Sequence, residues 1–134
     1  MKSNTILILA ALLGALTVAL GAFGAHALKS TLMANGRLET YELAVRYQFF
    51  HVLALLAIGI VHDRIKGLTT AAVLMLIGIF IFSGSLYILS LANQAMWGAV
   101  TPFGGIALIA GWLAFAWAVY RQDLHYWDPY DAHA

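Results

Sequence analysis

Nine polar side chains lie within or at the ends of long apolar segments, and their types limit the chemistry that this chain can perform. They are His26, Arg46, Tyr47, Gln48, His51, Ser83, Ser85, Tyr87 and Thr101. Hydroxyl, amide and imidazole groups can bind a headgroup, an ion or a small solute, and an imidazole can also carry a proton. Because Gln48 and His51 are three residues apart, and Tyr47 and His51 four apart, the three share a helix face. The pattern predicts a polar cluster, which is either a pocket or a set of hydrogen bonds that fixes helix packing.

Several kinds of active site are disfavoured by the same residues. The chain has no cysteine, which excludes disulfides, thiol nucleophiles and iron–sulfur ligation. No carboxylate lies inside an apolar segment, and no Ser, His and acidic residue stand at a recognisable catalytic spacing. A haem bound between His26 and His51 would need both imidazoles at the same depth in the membrane, yet helical rise separates them by roughly 9 Å, which disfavours haem. Proton-coupled transport would depend on His51 as the one group able to titrate at depth, which supports it weakly. We therefore expect no enzymatic activity, no metal and no cofactor.

Composition identifies the environment that must position these residues. Of the 134 residues, 63% are hydrophobic and 10% are charged, and no charged residue occurs between Gly67 and Tyr120. A soluble domain would need a charged surface, so these values indicate an integral membrane protein surrounded by membrane lipids. The net charge of +1 argues against a nucleic-acid partner.

Four segments are long enough to cross a hydrocarbon core, which takes roughly 20 helical residues. They run approximately over residues 5–28, 43–62, 68–92 and 102–120. Thr101 and Pro102 read as an N-cap followed by proline at the first helical position, and they predict the start of the fourth helix. The sequence thus predicts an all-α fold, a single four-helix transmembrane bundle over residues 1–121.

A polar C-terminal tail is predicted over residues 122–134. It contains residue types that bind metals: Asp123, His125, Asp128, Asp131 and His133. Since no scaffold sets their geometry, we expect a solvated tail rather than a metal site.

The positive charges in the short loops predict the orientation. On one side of the membrane lie Lys2, Arg64, Lys66 and Arg121; on the other lie Lys29 and Arg37, with Arg46 near them. Both termini are therefore predicted to be cytoplasmic in a bacterial inner membrane, and dual topology stays open because the margin is small.

The N-terminal segment also resembles a cleavable signal peptide. Lys2 precedes an apolar run that ends in the small-residue sequence Ala25-His26-Ala27, and cleavage would leave three spans. The run is longer than a usual signal h-region and contains glycines typical of packed membrane helices, namely Gly14, Gly21 and Gly24. We expect the segment to remain as the first span.

Helix contacts are predicted from small residues and from charges. Stripes at four-residue spacing occur on the first and fourth helices: Ala11, Ala15 and Ala19, and Ala110, Ala114 and Ala118, with Gly111 nearby. Such stripes let helices approach closely, within one chain or between two. The segment 29–42 reads as a long polar loop with a turn at Asn35-Gly36, and Glu42 and Arg46 are spaced for an ion pair at the interface.

Four ordered motifs resemble the domain-of-unknown-function 423 family of small bacterial membrane proteins. They are Gly21-Ala22-Phe23-Gly24-Ala25-His26-Ala27-Leu28, Tyr47-Gln48 followed by His51, Phe82-Ser83-Gly84-Ser85-Leu86-Tyr87, and Gly98 through Gly105 with Thr101-Pro102. The resemblance extends from the first helix to Trp112. It implies the four-span fold and brings no activity, substrate or cofactor.

Two functions remain open from the sequence. The first is a structural or accessory component of a membrane assembly, as a homo-oligomer or in a larger complex. The second is an oligomeric transporter or channel for a small solute or ion that uses the polar cluster.

Overall fold

Five α-helices and one 3₁₀ helix form an all-α fold in a computed structural model that describes the backbone of residues 1–126 and the side chains of residues 1–122. The helices are α1 (Ser3–Ala25), α2 (Lys29–Ala34), α3 (Leu38–Val61), α4 (Leu68–Ala92), the 3₁₀ helix (Ala95–Ala99) and α5 (Thr101–Tyr126). In the described chain, four are long and apolar enough to cross a membrane: α1, α3, α4 and α5. Helices are the expected solution because lipid offers no hydrogen-bonding partner for the backbone.

The four long helices alternate in direction, and each packs on the next: α1 on α3, α3 on α4 and α4 on α5. We call the end that carries α2 and the 3₁₀ helix the loop end, and the end that carries Met1 and the 62–67 turn the turn end. In the apolar parts of α1 and α5, 22% of the residues are buried, against 44% in α3 and α4. The terminal helices therefore keep broad faces open to lipid or to another protein.

Glycines allow the closest helix contacts. A Cβ on Gly104 of α5 would collide with the backbone nitrogen of Phe82 on α4, and one on Gly111 would come within 2.8 Å of Met75 Cγ. In the other half of the bundle, a Cβ on Gly59 of α3 would lie 2.6 Å from Leu7 Cδ2 of α1. Any larger residue at these positions would push the helices apart.

The approximate predicted boundaries coincide with those of α4, lie within one residue of the end of α3 and the beginning of α5, and differ by two to six residues at the other helix ends. Helix α3 begins at Leu38 instead of residue 43, and much of the predicted loop 29–42 is helical. The reason is that helical hydrogen bonding continues through interfacial polar residues, beyond the apolar run. Helix α5 likewise continues to Tyr126, past the predicted tail boundary. Residues 127–134, which hold Asp128, Asp131 and His133, lie outside the described chain, as do the side chains of Asp123 and His125.

The two alanine stripes have different positions. On α5, Ala118 is buried and Gly111 packs on α4, so this stripe lies in a contact within the chain. On α1 the stripe points outward, opposite the buried face, and three of its residues are exposed: Ala11, Ala15 and Ala19. The predicted ion pair of Glu42 with Arg46 is wrong, because in the described chain neither forms a salt bridge and both project from the surface.

Candidate functional site in the membrane

The predicted polar residues gather in the half of the bundle toward the loop end, where side chains of α3, α4 and α5 meet. The helical rise places His51, 13 residues after Leu38, roughly 20 Å along α3 and so near its middle. Six of the nine predicted residues form the hydrogen-bonded set described below, which we call the polar network: Gln48, His51, Ser83, Ser85, Tyr87 and Thr101.

The contact between α3 and α4 contains one buried and one part-buried hydrogen bond. The Tyr87 hydroxyl donates to Gln48 Oε1 at 2.9 Å, and the Ser83 hydroxyl donates to the Ala44 carbonyl oxygen at 2.8 Å. The Gln48 and Ser83 side chains are 3% and 2% exposed, so water does not compete for these groups. The two bonds fix the register of α3 against α4.

A second set of hydrogen bonds joins α4 to the beginning of α5. The hydroxyl oxygens of Ser85 and Thr101 are 2.7 Å apart, and either can donate to the other. Each also reaches a backbone carbonyl, Ser85 that of Phe82 at 3.0 Å and Thr101 that of Trp97 at 3.2 Å. The predicted N-cap role of Thr101 is wrong, because Thr101 is the first residue of α5 and its hydroxyl bonds backward to Trp97 and across to α4.

The imidazole of His51 joins α3 to α5. Trp112 Nε1 donates to His51 Nε2 at 3.1 Å, and His51 Nδ1 lies 2.7 Å from the Tyr47 carbonyl oxygen one turn earlier. An indole N–H is only a donor, and a carbonyl is only an acceptor. The geometry therefore assigns the neutral ring with its hydrogen on Nδ1, and Nε2 is occupied as an acceptor. A metal or a haem iron at Nε2 would have to displace Trp112.

Aromatic rings surround this set. Tyr47 stacks on Phe82 with ring centroids 4.7 Å apart, and Tyr41 lies 5.2 Å from Tyr87. The Tyr41 hydroxyl donates to the Leu20 carbonyl oxygen of α1 at 2.7 Å, and its ring covers Gly24, where a Cβ would collide with it. Tyr41 thus connects α1 to the same half of the bundle.

Two predicted members lie apart from the network. His26 is exposed where α1 ends. Arg46 is exposed on the outer side of α3, where it lines a surface groove of about 630 Å³ between α1 and α3 with Glu42, Thr17 and Phe49. Tyr47 borders the network without a side-chain hydrogen bond in it: its ring stacks on Phe82, and the residue is 38% exposed. The groove is therefore separate from the network.

Most of the polar side chains of the network have a hydrogen-bond partner within the protein. Among the described residues, no fully buried side-chain nitrogen or oxygen lacks a partner, and no three His, Asp or Glu side chains are placed to hold a metal ion. Gln48 uses its Oε1 in the bond to Tyr87, and both residues line a cavity of about 130 Å³ that is otherwise apolar. The arrangement is suited to holding three helices in one register.

Sequence reasoning missed several residues that complete the arrangement. Trp112 lies in an apolar run, and the sequence of such a run does not distinguish an indole that faces lipid from one that donates a hydrogen bond to another helix. At the loop end, Asn35 Nδ2 donates to the Ser90 carbonyl oxygen at 3.1 Å, and Arg37 Nε donates to Asn93 Oδ1 at 3.3 Å. The sequence predicted a turn at Asn35-Gly36, but not that Asn35 would meet Ser90 or that Arg37 would meet Asn93.

The family described as "Protein of unknown function (DUF423)" matches the chain over residues 20–105. The UPF0382 membrane protein YwdK of Bacillus subtilis is 42% identical over 110 residues, which cover 80% of this chain and 89% of that protein. A UPF0382 membrane protein of Staphylococcus saprophyticus is 47% identical over 112 residues, with coverage of 80% and 89%. The UPF0382 inner membrane protein YgdD of Escherichia coli K12 is 41% identical over 114 residues, with coverage of 84% and 86%. No solved structure matches the chain.

Proposed function

The chain belongs to the DUF423 family of small multi-pass membrane proteins, and we propose that it acts there as a structural or accessory component of a membrane assembly, without catalytic activity of its own. The polar network supports this proposal because its hydrogen bonds join α3 to α4, α4 to α5 and, through Trp112, α3 to α5. Such a network stiffens a scaffold and presents few groups to a substrate.

The observation that most directly supports this proposal is the exposed outer face of α1. Only 22% of the apolar part of α1 is buried, and the side opposite its buried face bears the exposed stripe Ala11, Ala15 and Ala19. Small residues let a second helix approach to backbone distance, which is how membrane helices gain packing energy in a solvent as apolar as they are. We propose that a transmembrane helix of the assembly, or of a second copy, docks on this face.

Native mass spectrometry after gentle release from the membrane tests this function. We expect the wild-type chain to carry a second protein or to appear as an exact multiple, and Ala15→Trp to lose that extra mass because the indole fills the stripe. Ala116→Trp is the matched control, since Ala116 is an exposed alanine of α5. A lone wild-type chain, or equal loss in both variants, would contradict the proposal.

A transporter or channel for a small solute or ion is the second candidate, and the groove between α1 and α3 favours it. Its volume of about 630 Å³ falls in the range of ligand sites, and Glu42 and Arg46 line it in the same half of the bundle as the polar network. In an oligomer this groove would become an enclosed path.

Thiol labelling separates the two candidates in this cysteine-free chain. Ser85 is 3% exposed within the network, whereas Glu42 is exposed beside the groove. An accessory scaffold predicts that a water-soluble maleimide labels Glu42→Cys and leaves Ser85→Cys unlabelled. Thr17 lines the groove and is 2% exposed, so labelling of Thr17→Cys in native membranes would favour a transporter that uses the groove, and labelling of Ser85→Cys would favour one that uses the polar network.

We also propose a bacterial inner-membrane location with both termini in the cytoplasm. The turn end carries Lys2, Arg64, Lys66 and Arg121, against Lys29 and Arg37 at the loop end, and positive loops stay cytoplasmic. The Escherichia coli relative YgdD is named an inner membrane protein, which supports the proposed location in the inner membrane.

A further inference from the structure

A basic cavity lies at the turn end, between the beginning of α4 and the last turns of α5, and the proposed function makes no use of it. Its volume is about 300 Å³, at the lower end of the range for ligand sites. Eight residues line it: Lys66, Gly67, Thr70, Ala114, Trp117, Ala118, Arg121 and Gln122. It opens at the end of the bundle opposite to Thr101, whereas the polar network extends from the loop end to His51 near the middle of α3.

Two cationic residues from distant parts of the chain line this cavity. Lys66 comes from the turn before α4, and Arg121 comes from the end of α5. The acidic residue nearest to Lys66 in sequence is Asp63, and its carboxylate contacts His62 at 3.2 Å instead. Within the described part of the chain, neither Lys66 nor Arg121 forms a salt bridge. The cavity is therefore a place of concentrated positive charge.

Its depth matches the phosphate level of a bilayer. Arg121 follows Thr101 by 20 residues, which corresponds to roughly 30 Å of helix, the thickness of the hydrocarbon core. Trp117 lies one turn deeper and is 58% exposed, as is typical of the indoles that mark the membrane interface. A lipid whose acyl chains lie along Trp117 would bring its phosphate to the two cations.

The walls of the cavity are held in place without a ligand. Gly67 has a φ of +90°, a conformation that favours glycine, and it reverses the chain so that Lys66 lies beside α5. Gln122 Nε2 donates to the Arg64 carbonyl oxygen at 3.1 Å, which ties the end of α5 to the same turn. The small side chains of Ala114 and Ala118 leave the space between the helices open.

We propose that this cavity binds the headgroup phosphate of an anionic glycerophospholipid. Arg121 supplies a planar fork that matches two phosphate oxygens, and Lys66 supplies a compact charge. Basic pockets between transmembrane helices recognise anionic headgroups in this way, and the cytoplasmic leaflet is rich in such lipids. The inference concerns a different face from the docking face on α1, so either can fail alone.

The test is a lipid titration of the full-length delipidated protein in neutral detergent, followed by native mass spectrometry. The probes are phosphatidylglycerol, phosphatidylcholine, glycerol 3-phosphate and inorganic phosphate. We expect a discrete phosphatidylglycerol adduct, with an apparent Kd at least about tenfold lower than for phosphatidylcholine. Lys66→Gln with Arg121→Gln should abolish this preference.

Lys2→Gln with Arg64→Gln is the matched control, because it removes two charges from the same end of the bundle but neither residue lines the cavity. An equal loss in the control would overturn the site in favour of diffuse surface charge. Equal binding of the two lipids would overturn anion recognition, and equal binding of glycerol 3-phosphate and phosphatidylglycerol would overturn the lipid assignment. If the double variant does not fold, Arg121→Lys should keep part of the preference, because lysine retains the charge without the planar fork, and Arg121→Gln should lose most of it; equal behaviour of these two would also overturn the site.

Discussion

Trp112 on α5 donates its indole hydrogen to Nε2 of His51 on α3, over 3.1 Å and across 61 residues of sequence. The bond joins two helices that are not neighbours in the order α1, α3, α4, α5, because α4 lies between them in that order. It also leaves His51 Nδ1 to donate to its own helix at the Tyr47 carbonyl. The imidazole of His51 therefore joins α3 directly to α5 in the interior of the protein.

A double-mutant cycle measures this bond. We expect Trp112→Phe and His51→Leu each to lower the free energy of unfolding in detergent, and to show a coupling energy of about 0.6 to 1.7 kcal/mol. The control cycle pairs His51→Leu with Trp117→Phe, which lies about one and a half turns further along α5. That pair should be additive to within about 0.5 kcal/mol. Additivity of the first pair would show that the bond contributes nothing.

Tyr87 should be more sensitive than Tyr47 to the loss of its hydroxyl. The Tyr87 hydroxyl is the donor to Gln48 Oε1 at 2.9 Å, whereas Tyr47 makes ring contacts and no side-chain hydrogen bond in the described structure. We expect Tyr87→Phe to lower the free energy of unfolding by about 1 kcal/mol. Tyr47→Phe should change it by less than about 0.5 kcal/mol. Equal effects in an unfolding titration would contradict the role of the Gln48 contact.

Apolar run length predicted the four spans because the hydrocarbon core imposes one strong requirement on the chain. It located the ends less well. Leu38 begins α3 five residues before the predicted boundary, since Glu39 and Glu42 are helical residues at the interface and hydropathy detects only the hydrocarbon region. The beginning of α5 was predicted to within one residue because Pro102 marks a helix start by backbone geometry, although Thr101 is its first residue and not its N-cap.

The members of the polar network could be predicted, but its pairs could not. Sequence placed Gln48, His51, Ser85 and Thr101 in one half of the membrane, because depth follows from helical rise alone. Which of them meet depends on the rotation of each helix about its axis, and close contacts at glycines set that rotation. The same rotation turns Arg46 outward, although it is only two residues from Gln48.

Adjacent glycines on α5 provide a test of that packing. A Cβ on Gly104 would collide with the Phe82 backbone, whereas one on Gly105 would lie 3.7 Å from the Phe82 ring, an ordinary contact. We expect Gly104→Ala to lower the free energy of unfolding by about 1 to 3 kcal/mol. Gly105→Ala should be neutral or slightly stabilising, since alanine favours helix. A thermal or denaturant titration compares the free energies of unfolding of the two variants. If Gly105→Ala were the less stable of the two, α4 and α5 would pack differently from this structure.

Two exposed positions at opposite ends test the orientation. Ser30 lies at the loop end and Asp63 at the turn end, and both are exposed in this cysteine-free chain. Because the turn end carries more lysine and arginine, we expect a membrane-impermeant maleimide to label Ser30→Cys in intact spheroplasts. Asp63→Cys should be labelled only after permeabilisation, and full labelling of both in permeabilised cells controls for reactivity. The reverse pattern would contradict cytoplasmic termini, while comparable partial labelling of both variants in intact spheroplasts would mean that the chain inserts in both orientations.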